Sequence, residues 1–533
     1  MRIQQWQSTL KILQFTGLAL LIASLPLSNL LMSIATFWIA GVWLLEISTD
    51  IFLGKKPSRR LRRFTSDLNA LMLCGLFLLP VIGLLWTEDF SYAQWDLRMK
   101  LPLLLLPFLL STIDPITDRA FRGLLGVFIL SVTFAVVWCL LIYWQINPRP
   151  YQDAREISVF ISHIRFSLLI VLGLCIVFVE AWDKPSGMLF SIFISIPFLY
   201  FMYIVASMTG FIVLSCIILW TIVRFIFKTN KPAIKWLLGA LIIALPLTGF
   251  LVLRSSYNSY FNVQNVDWND LEKTSANGEI YDHNPQYRAV ESGHYVMTHI
   301  AWGELYEGWK MRSDIYPDSL DGRGHILKGT LIRYLASKGL RKDLDGIQQL
   351  SDDDVKAIES GIPVYNAHEK SGLRKRLDNI FFELSNYRAG GNPSGHSVFQ
   401  RFEFWKAAMS IIADHPVIGV GTGDVKQSFI VKYDEMHSPL DQTHRLRAHN
   451  QYLTFWLTFG IFGLIYFIAM IVVPTIRKRK NTLFVAFTII ASMSFLTEDT
   501  LESQAGVTFF AFFYIFFTLK RKLNLATLRP VKS

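Results

Sequence analysis

Residues 449–474 read HNQYLTFWLTFGIFGLIYFIAMIVVP, and this stretch decides the fold class. It contains no Asp, Glu, Lys or Arg, and it is long enough for a helix to cross the ~30 Å hydrocarbon core of a bilayer. Apolar runs of roughly 18 to 25 residues recur along the chain, and 52% of its 533 residues are hydrophobic. The sequence therefore predicts an all-α polytopic membrane protein.

Hydrophobic runs of this kind predict about twelve membrane-spanning helices. The fourth is short, and the seventh and eighth nearly touch at 207–210. The predicted spans are 10–27, 29–48, 67–86, 101–114, 120–146, 164–182, 187–207, 209–228, 236–254, 449–474, 482–497 and 504–520.

Clusters of Lys and Arg set the predicted orientation, because cytoplasmic loops of membrane proteins are enriched in these residues. The clusters at 55–63, 228–235, 477–480 and 520–522 share one side if there are twelve spans and both termini are cytoplasmic. This orientation predicts a multi-pass membrane protein with three parts. They are a membrane domain at 1–254, a helical domain at 255–447 on the side away from the cytoplasm, and a second membrane domain with a cytoplasmic tail at 448–533.

The distribution of charge agrees with this topology. Segment 255–447 holds 22 Lys and Arg against 26 Asp and Glu, so it carries about −4 while the rest of the chain carries about +15. The positive excess therefore follows the membrane topology. We expect contact with membrane lipids and none with nucleic acid.

His449 lies at the mouth of the tenth span, close behind Arg445 and Arg447. An interfacial histidine with Asn450 as the helix cap would explain the pattern structurally. Two guanidinium groups would also disfavour the charged imidazole, and a neutral imidazole accepts a proton from a hydroxyl near pH 7. His449 is thus a candidate catalytic base, and Arg445, Arg447 and Asn450 are candidate substrate-binding residues.

Arg401 begins an amphipathic helix predicted at 398–413. An ion pair with Glu403 or a contact with Trp405 would be a sufficient structural role. The planar fork of an arginine is also suited to a phosphate group. Arg401 is therefore the second candidate catalytic residue.

Further cations fall on the predicted outward face, where the bias toward cytoplasmic Lys and Arg does not place them. They are Arg165 and its neighbour His163 at the sixth span, and Lys100 before the fourth. A polyanionic substrate would explain them, and snorkelling to the interface is the alternative for Arg165. We expect all three to bind substrate.

An acidic turn lies between the last two spans. We expect Glu498, Asp499 and Glu502 in this turn to pair with the outward arginines, and we expect Glu498 and Glu502 to contribute to binding. A solvated turn is the alternative. Because no histidine lies near them in sequence, no metal site is predicted.

The glycine-rich turn GVGTGD at 419–424 resembles a nucleotide-binding loop only superficially. It lacks the Lys-Ser/Thr ending of a P-loop, and no strand precedes it. We expect a flexible turn that brings the backbone near substrate or membrane. No cofactor is predicted.

Together these motifs resemble the O-antigen ligase/polymerase superfamily. The pattern consists of Arg401, Trp405, His415-Pro416, Gly419-x-Gly421, His449-Asn450 and Gly460-x-x-Gly463, with a large outward loop before the last three spans. The strings RYLASKGLRKD at 333–343 and EDTLE at 498–502 are similar to those of Bacteroidota members.

The resemblance implies an inverting, metal-independent glycosyl transfer from a glycan on undecaprenyl diphosphate. In the ligases the acceptor is a sugar hydroxyl of lipid A–core. His449 would then orient or deprotonate that hydroxyl, and Arg401 would hold the diphosphate. Many members carry Ser-Arg after the short hairpin, whereas Ser207 is followed here by Met208, so Arg165 is the candidate to replace that arginine.

Three alternatives to a ligase remain open at this point. A polymerase that joins repeat units, or a protein O-oligosaccharyltransferase, would share the chemistry and differ in the acceptor. A transporter of lipid-linked glycan would need polar groups within the spans, and these spans are nearly free of charge at their centres.

Overall fold

The structure is a computed structural model that describes residues 2–56, 58–151, 153–182, 185–263, 266–367 and 372–522. Helix makes up 69% of the chain, and almost no strand is present. The predicted all-α fold class is therefore confirmed.

The elements follow one another along the chain with only four two-residue strands among the helices. The helices are α1 Arg2–Ser24, α2 Asn29–Phe52, α3 Ser58–Thr65, α4 Leu68–Ile82, α5 Phe90–Lys100, α6 Pro102–Thr112, α7 Asp118–Tyr143, α8 His163–Ala181, α9 Pro185–Ile204, α10 Met208–Lys228, α11 Pro232–Tyr260, α12 Trp302–Lys310, α13 Leu327–Ser337, α14 Leu344–Gln348, α15 Asp352–Glu359, α16 Gly372–Arg388, α17 Phe399–Asp414, α18 Val425–Glu435, α19 Gln451–Arg477, α20 Thr482–Thr497 and α21 Gln504–Phe516. The strands are β1 Ile116–Thr117, β2 Val290–Glu291, β3 His294–Tyr295 and β4 Arg521–Lys522, with β1 parallel to β4 and β2 antiparallel to β3. Single 3₁₀ turns lie at Gly83–Trp86, Ala154–Ile157, Gln442–His444 and Thr500–Glu502.

Each of the twelve predicted spans coincides with a helix, but not all of these helices have the dimensions of a span. Within the described ranges, eight helices are long and apolar enough to cross a membrane. The helices α20 and α21 are apolar but have only 16 and 13 residues, and α6 has 11. Eleven residues of α-helix cover about 16 Å, roughly half of the hydrocarbon core. The count of twelve spans is therefore not established.

The chain divides into two compact units. The first comprises Met1–Trp220, Phe404–Ser438 and Arg445–Ser533, and the second comprises Thr221–Glu403 and Pro439–His444. Large aromatic side chains such as Phe128, Phe467 and Phe513 fill the core of the first unit. The second unit has its own core around Trp309 and Leu331. The predicted outward segment 255–447 thus contributes to both units, and its periplasmic location remains a prediction.

The helix α19 is broken at Gly460, within its first ten residues. The backbone there has φ of 67° and ψ of −168°, which is outside the helical region. A side chain at this position would place its Cβ 1.9 Å from the carbonyl oxygen of Val417. The glycine is therefore required both by the positive φ and by the close approach of a second segment.

That second segment is the stretch 416–421, which satisfies the backbone groups left free by the break. The amide of Val420 donates to the carbonyl of Leu457 at 2.8 Å, and the amide of Gly421 donates to Thr458 at 3.0 Å. On the far side of the break, the amide of Ile461 donates to the carbonyl of Pro416 at 3.0 Å. Non-helical backbone within a membrane protein needs such partners because no water is available there.

The same turn also holds the start of α5. Asp424 accepts hydrogen bonds from the backbone amides of Glu88 and Asp89, both at 2.9 Å. The hydroxyl of Thr422 donates to the carbonyl of Pro80 in α4 at 2.7 Å. The turn at 419–424 is therefore held by several hydrogen bonds, and its predicted approach to substrate or membrane stays a prediction. Its backbone is bound to the protein's own helices.

Candidate active site

His449 directly precedes α19 and has a left-handed backbone conformation, with φ of 46°. This conformation is uncommon for residues other than glycine and costs free energy. The backbone amide of His449 donates to the carboxylate of Asp499 at 2.9 Å, which helps to hold the residue in this conformation. The next residue, Asn450, caps α19 by accepting from the amides of Tyr452 and Leu453. Both the helix start and the acidic turn thus position the histidine.

The imidazole of His449 lies beside a carboxylate and an aromatic ring. Its Nδ1 is 3.5 Å from Glu498 Oε2, and its side chain is 31% exposed. The ring of Phe404 stacks against it, with 5.5 Å between ring centroids and 26° between planes. Nδ1 is buried and has no hydrogen bond within the described part of the chain. The histidine is therefore oriented on one side and partly open on the other.

The two arginines expected to repel a charged imidazole are themselves neutralised by carboxylates. Arg447 Nη1 binds Glu502 Oε2 at 2.9 Å. Arg445 forms an ion pair with Asp434. The charged group beside the imidazole ring is the carboxylate of Glu498.

Lys100 is buried at the centre of an ion-pair network, with 3% of its surface exposed. Its ammonium lies 2.8 and 2.7 Å from the two carboxylate oxygens of Asp96 and 3.0 Å from Glu502 Oε1. Glu502 also binds Arg447 and accepts a hydrogen bond from the side-chain amide of Gln451 at 3.2 Å. Two cations and two carboxylates thus balance one another, and we call these four residues, Asp96, Lys100, Arg447 and Glu502, the buried charge network.

The buried charge network connects to the turn beside His449. The side-chain oxygen of Gln451 accepts from the amide of Leu501 at 2.7 Å. Asp499 accepts from the hydroxyl of Thr454 at 2.7 Å with its second oxygen. The acidic turn at 498–502 is therefore bound to the first turn of α19 at several points, and it is not the solvated turn that the sequence alone allowed.

Burial and neighbouring charges shift the pKa values of the carboxylates in this region, and they do so in opposite directions for different residues. Burial opposes ionisation of Glu502, but Arg447 and Lys100 outweigh it and hold the pKa of Glu502 at about 2. Burial raises the pKa of Asp96 to about 6, although Lys100 partly offsets it. Burial also raises the pKa of Asp499, with Arg447 as the main opposing charge. Glu502 is thus the carboxylate that stays charged between the two cations.

Arg165 lies in the first turn of α8, half-buried, and its charge interacts with that of Glu498. Over the described ranges, its guanidinium forms no ion pair within 4 Å and no hydrogen bond. Since Glu498 also lies beside His449, the structure brings Arg165, Glu498 and His449 into one neighbourhood. A guanidinium whose donors are not engaged by the protein is available to an anionic group.

The other predicted site residues have partners elsewhere. The amide nitrogen of Asn450 donates to the carbonyl of Leu496 at 3.2 Å, in addition to its capping role. His163 begins α8, and its carbonyl accepts from the hydroxyl of Ser167 at 2.8 Å. Arg401 lies in the second unit, where Nη1 donates to the carbonyl of Ser397 at 2.6 Å.

Asp96 was not singled out from the sequence, although it is central to the geometry. Asp96 precedes Lys100 by four residues, which is the spacing of an ion pair on a helix and could have indicated the contact. Asp499 was visible only as one acid in a polar turn. Among the described residues, no three His, Cys, Asp or Glu side chains are grouped to hold a metal ion.

These observations define a helical membrane protein with a histidine, a carboxylate and an arginine gathered at one end of its helix bundle. Residues 360–468 match the family model described as O-antigen ligase. The chain therefore carries the domain of the O-antigen ligase/polymerase superfamily, a family of membrane glycosyltransferases, and the resemblance drawn from its motifs is confirmed. No curated protein matches the chain. The matched range includes Arg401 and His449, whereas Lys100, Arg165 and the acidic turn lie outside it.

Proposed function

We propose that this protein is an O-antigen ligase, which transfers a glycan from undecaprenyl diphosphate to a sugar hydroxyl of lipid A–core. The observation that carries the proposal is the grouping of His449, Glu498 and Arg165 at one end of the first unit. A base, a carboxylate that orients it and a free guanidinium suit the transfer of a sugar from a diphosphate.

The proposed reaction is a single displacement at the anomeric carbon of the donor. The acceptor hydroxyl attacks that carbon, and its proton passes to Nε2 of His449. Glu498 beside Nδ1 orients the ring and stabilises the imidazolium that forms. The bond between the anomeric carbon and the diphosphate oxygen breaks, and undecaprenyl diphosphate leaves. The anomeric configuration is inverted, and no metal or cofactor takes part.

An arginine is proposed to hold the diphosphate while negative charge develops on it. Arg165 is proposed for this role because its guanidinium is not engaged by the protein, and it would replace the arginine missing after Ser207. Arg401 is the alternative candidate, proposed from the family motif. His163 begins the same helix as Arg165 and is a candidate contact to the glycan.

The buried charge network has a different proposed role from direct binding. Lys100, Arg447 and Glu502 satisfy one another, so we propose that they hold the acidic turn against α19. Asn450 is proposed to act in the same way through its helix cap. Arg445 is paired with Asp434. We propose that it contacts the glycan only through the exposed edge of its guanidinium.

The protein is proposed to lie in the bacterial inner membrane with its active site on the periplasmic face. The helix α19 carries His449 at its start and Arg477 at its end, and further cations follow at 478–480. Because basic residues favour the cytoplasmic side, the histidine would face the periplasm. If the chain has twelve spans, this orientation also places both termini in the cytoplasm.

The test is to express His449→Ala in a strain that lacks the native gene and to separate its lipopolysaccharide on a gel. Loss of general-base catalysis reduces a rate by about 10²–10⁴-fold, so capped lipid A–core should disappear. Phe402→Leu, an exposed aromatic on α17, is the control and should retain capping. Wild-type capping by a folded, membrane-inserted His449→Ala protein would contradict the catalytic assignment.

The same gel separates a ligase from a polymerase. Deletion of a ligase gene removes every cap from lipid A–core, whereas deletion of a polymerase gene leaves caps of a single repeat unit. Intact lipopolysaccharide with loss of glycan from proteins would instead indicate a protein O-oligosaccharyltransferase.

A further inference from the structure

The end of the first unit opposite to His449 contains two adjoining cavities. The larger has a volume of about 680 Å³ and lies where α19 ends, α20 begins and α21 ends. The smaller has a volume of about 360 Å³ and shares four lining residues with it, namely Arg477, Lys478, Thr518 and Leu519. We call the two together the basic cavity.

The lining of the larger part carries positive charge without compensation. It contains the four consecutive cations at 477–480 and also Arg521, and no carboxylate is among its lining residues. Across the described ranges, none of the four consecutive cations forms an ion pair within 4 Å. Arg521 lies 3.7 Å from Asp118. Five cations therefore line the larger part with Asp118 as a partial counter-charge, while Asp67 and Asp114 are among the lining residues of the smaller part.

Some other cations at this end of the unit do pair with carboxylates. Arg60 binds both Glu46 and Asp50 at 2.8 and 2.9 Å. Arg63 binds Asp114 at 2.8 Å, and this pair borders the smaller part of the cavity. Carboxylates thus neutralise Arg60 and Arg63, whereas no carboxylate of the described residues pairs with the cations at 477–480. The enrichment of Lys and Arg on the cytoplasmic side explains why cations occur at 477–480. It does not explain why they line the same cavity without carboxylate partners.

The remaining lining residues combine polar and apolar groups. The amide of Asn481 and the hydroxyl of Thr518 provide polar atoms, and Ile476, Phe517 and Leu519 provide apolar surface. Arginine and lysine side chains bind phosphate oxygens through charge-assisted hydrogen bonds. Basic pockets between membrane helices on the cytoplasmic side suit anionic lipid headgroups.

We propose that the basic cavity binds the phosphate headgroup of an anionic phospholipid. A soluble phosphate would use the same cations, but two features favour a lipid. The cavity lies at the ends of apolar helices, at headgroup depth, and its apolar residues would contact the glycerol and the first methylenes of the acyl chains. This inference does not depend on the proposed transferase activity, because it concerns the opposite end of the unit.

The experiment is a titration of the full-length protein in neutral detergent, with the lipid-bound fraction measured by native mass spectrometry. The probes are phosphatidylglycerol, phosphatidylcholine and glycerol 3-phosphate. We expect phosphatidylglycerol to bind at least tenfold more tightly than phosphatidylcholine. The test variant carries Arg477→Gln, Lys478→Gln, Arg479→Gln and Lys480→Gln together, and it should lose this preference.

A matched variant removes four cations from the same end of the unit outside the cavity. It carries Lys55→Gln, Lys56→Gln, Arg59→Gln and Arg62→Gln, which are all exposed and absent from the lining. It should keep the preference for phosphatidylglycerol. If both variants lost the preference for phosphatidylglycerol equally, the preference would reflect a general attraction between cations and anionic lipid. That result would overturn the proposal.

Two further outcomes would also overturn it. If wild-type protein bound phosphatidylcholine as tightly as phosphatidylglycerol, no anion site would exist. If glycerol 3-phosphate displaced phosphatidylglycerol with an affinity equal to that of the lipid, the ligand would be a soluble phosphate. Unfolding of the test variant is monitored by tryptophan fluorescence. If it unfolds, Arg477→Gln with Lys478→Gln, which line both parts of the cavity, replaces it and should reduce the preference at least threefold.

Discussion

Lys100 illustrates how burial changes the role of a charged residue. Its position before a predicted span suggested contact with a polyanionic substrate, but its ammonium is surrounded by carboxylate oxygens of Asp96 and Glu502. A lysine with these neighbours has no free donor direction to offer without breaking an ion pair. Sequence position indicated correctly that the cation needs an anion, and the tertiary structure supplies that anion from the protein itself.

Replacement of Lys100 by methionine should destabilise the protein strongly. It leaves Asp96 and Glu502 buried with one cation between them, and breaking a buried pair in this way costs about 3–5 kcal/mol. The measurement is thermal unfolding of the purified protein in detergent. Arg98→Gln, an exposed cation two residues away, is the control and should change stability by at most about 0.5 kcal/mol. Equal stability of the two variants would show that the buried charge network is not structural.

Glu498 should act through His449 and not as an independent group. Glu498→Gln should lower the transfer rate by less than His449→Ala, since it alters only the orientation and charge stabilisation of the imidazole. In the double variant, Glu498→Gln should cause little further loss of transfer rate beyond that of His449→Ala. The effects of substituting residues that work as a unit are not additive. The check is the rate with purified lipid-linked donor and acceptor. Additive losses would separate Glu498 from the histidine.

Among the elements, α19 carries most of what the family motif encodes. Its first residues position His449, and its break at Gly460 is closed by the stretch 416–421. The proline of His415-Pro416 and the glycines that follow are therefore explained by backbone pairing and not by contact with a nucleotide or substrate. The close neighbour of Gly460 is the backbone of this extended segment and not a second helix.

Gly460→Ala should disrupt this arrangement. A Cβ would meet the carbonyl of Val417 at 1.9 Å, and the positive φ alone costs about 1–3 kcal/mol for alanine. We expect lower thermal stability and loss of glycan transfer, because the start of α19 would shift. Gly126→Ala in α7 is the matched control, since nothing lies within 4 Å of its Cβ. It should be neutral or stabilise by about 0.5–1 kcal/mol.

If Gly460→Ala unfolded at the same temperature as wild type and retained transfer, the break would be incidental. The hydrogen bonds from 416–421 to α19 would then have no role in placing His449. Hydrogen exchange at the amides of Val420 and Gly421 would show directly whether those bonds persist in the variant.

At the scale of the whole molecule, the second unit contains two half-buried histidines that make its stability depend on pH. In the second unit, burial lowers the pKa of His396 to about 4, with Arg333 adding to the effect. Burial likewise lowers the pKa of His299 to about 4, and His283 contributes. The fold of this unit therefore favours the neutral form of both imidazoles.

The stability of the second unit should accordingly fall in acid. Because the folded pKa values lie below the ordinary value near 6.5, this contribution is complete above about pH 6.5 and is lost as the pH falls through about 4. Hydrogen exchange in α13 and α16, corrected for intrinsic rates, should show increasing opening between pH 7 and pH 4. In His396→Gln the increase should be smaller. Opening that is independent of pH in wild type would contradict this prediction.

The sequence by itself determined the all-α membrane fold, the approximate position of every helix that was predicted to span, and the superfamily. These features depend on local quantities: runs of apolar residues, clusters of basic residues, and a motif within about 70 consecutive residues. Hydropathy and charge act on each segment separately, so they can be read without knowing which segments meet. The exact number of spans depends on helix ends and lengths, and hydropathy alone did not settle it.

Only the tertiary structure decided which side chains meet. Lys100 and Glu502 are 402 positions apart, and no local pattern predicts that their charges cancel. No local pattern predicts either that Asp424 accepts a hydrogen bond from the backbone before α5 or that Asp499 accepts one from the backbone of His449. Ion pairs and hydrogen bonds act over a few ångströms, so their partners are set by how the helices pack. Packing therefore separates the available guanidinium of Arg165 from the cations that the protein neutralises itself.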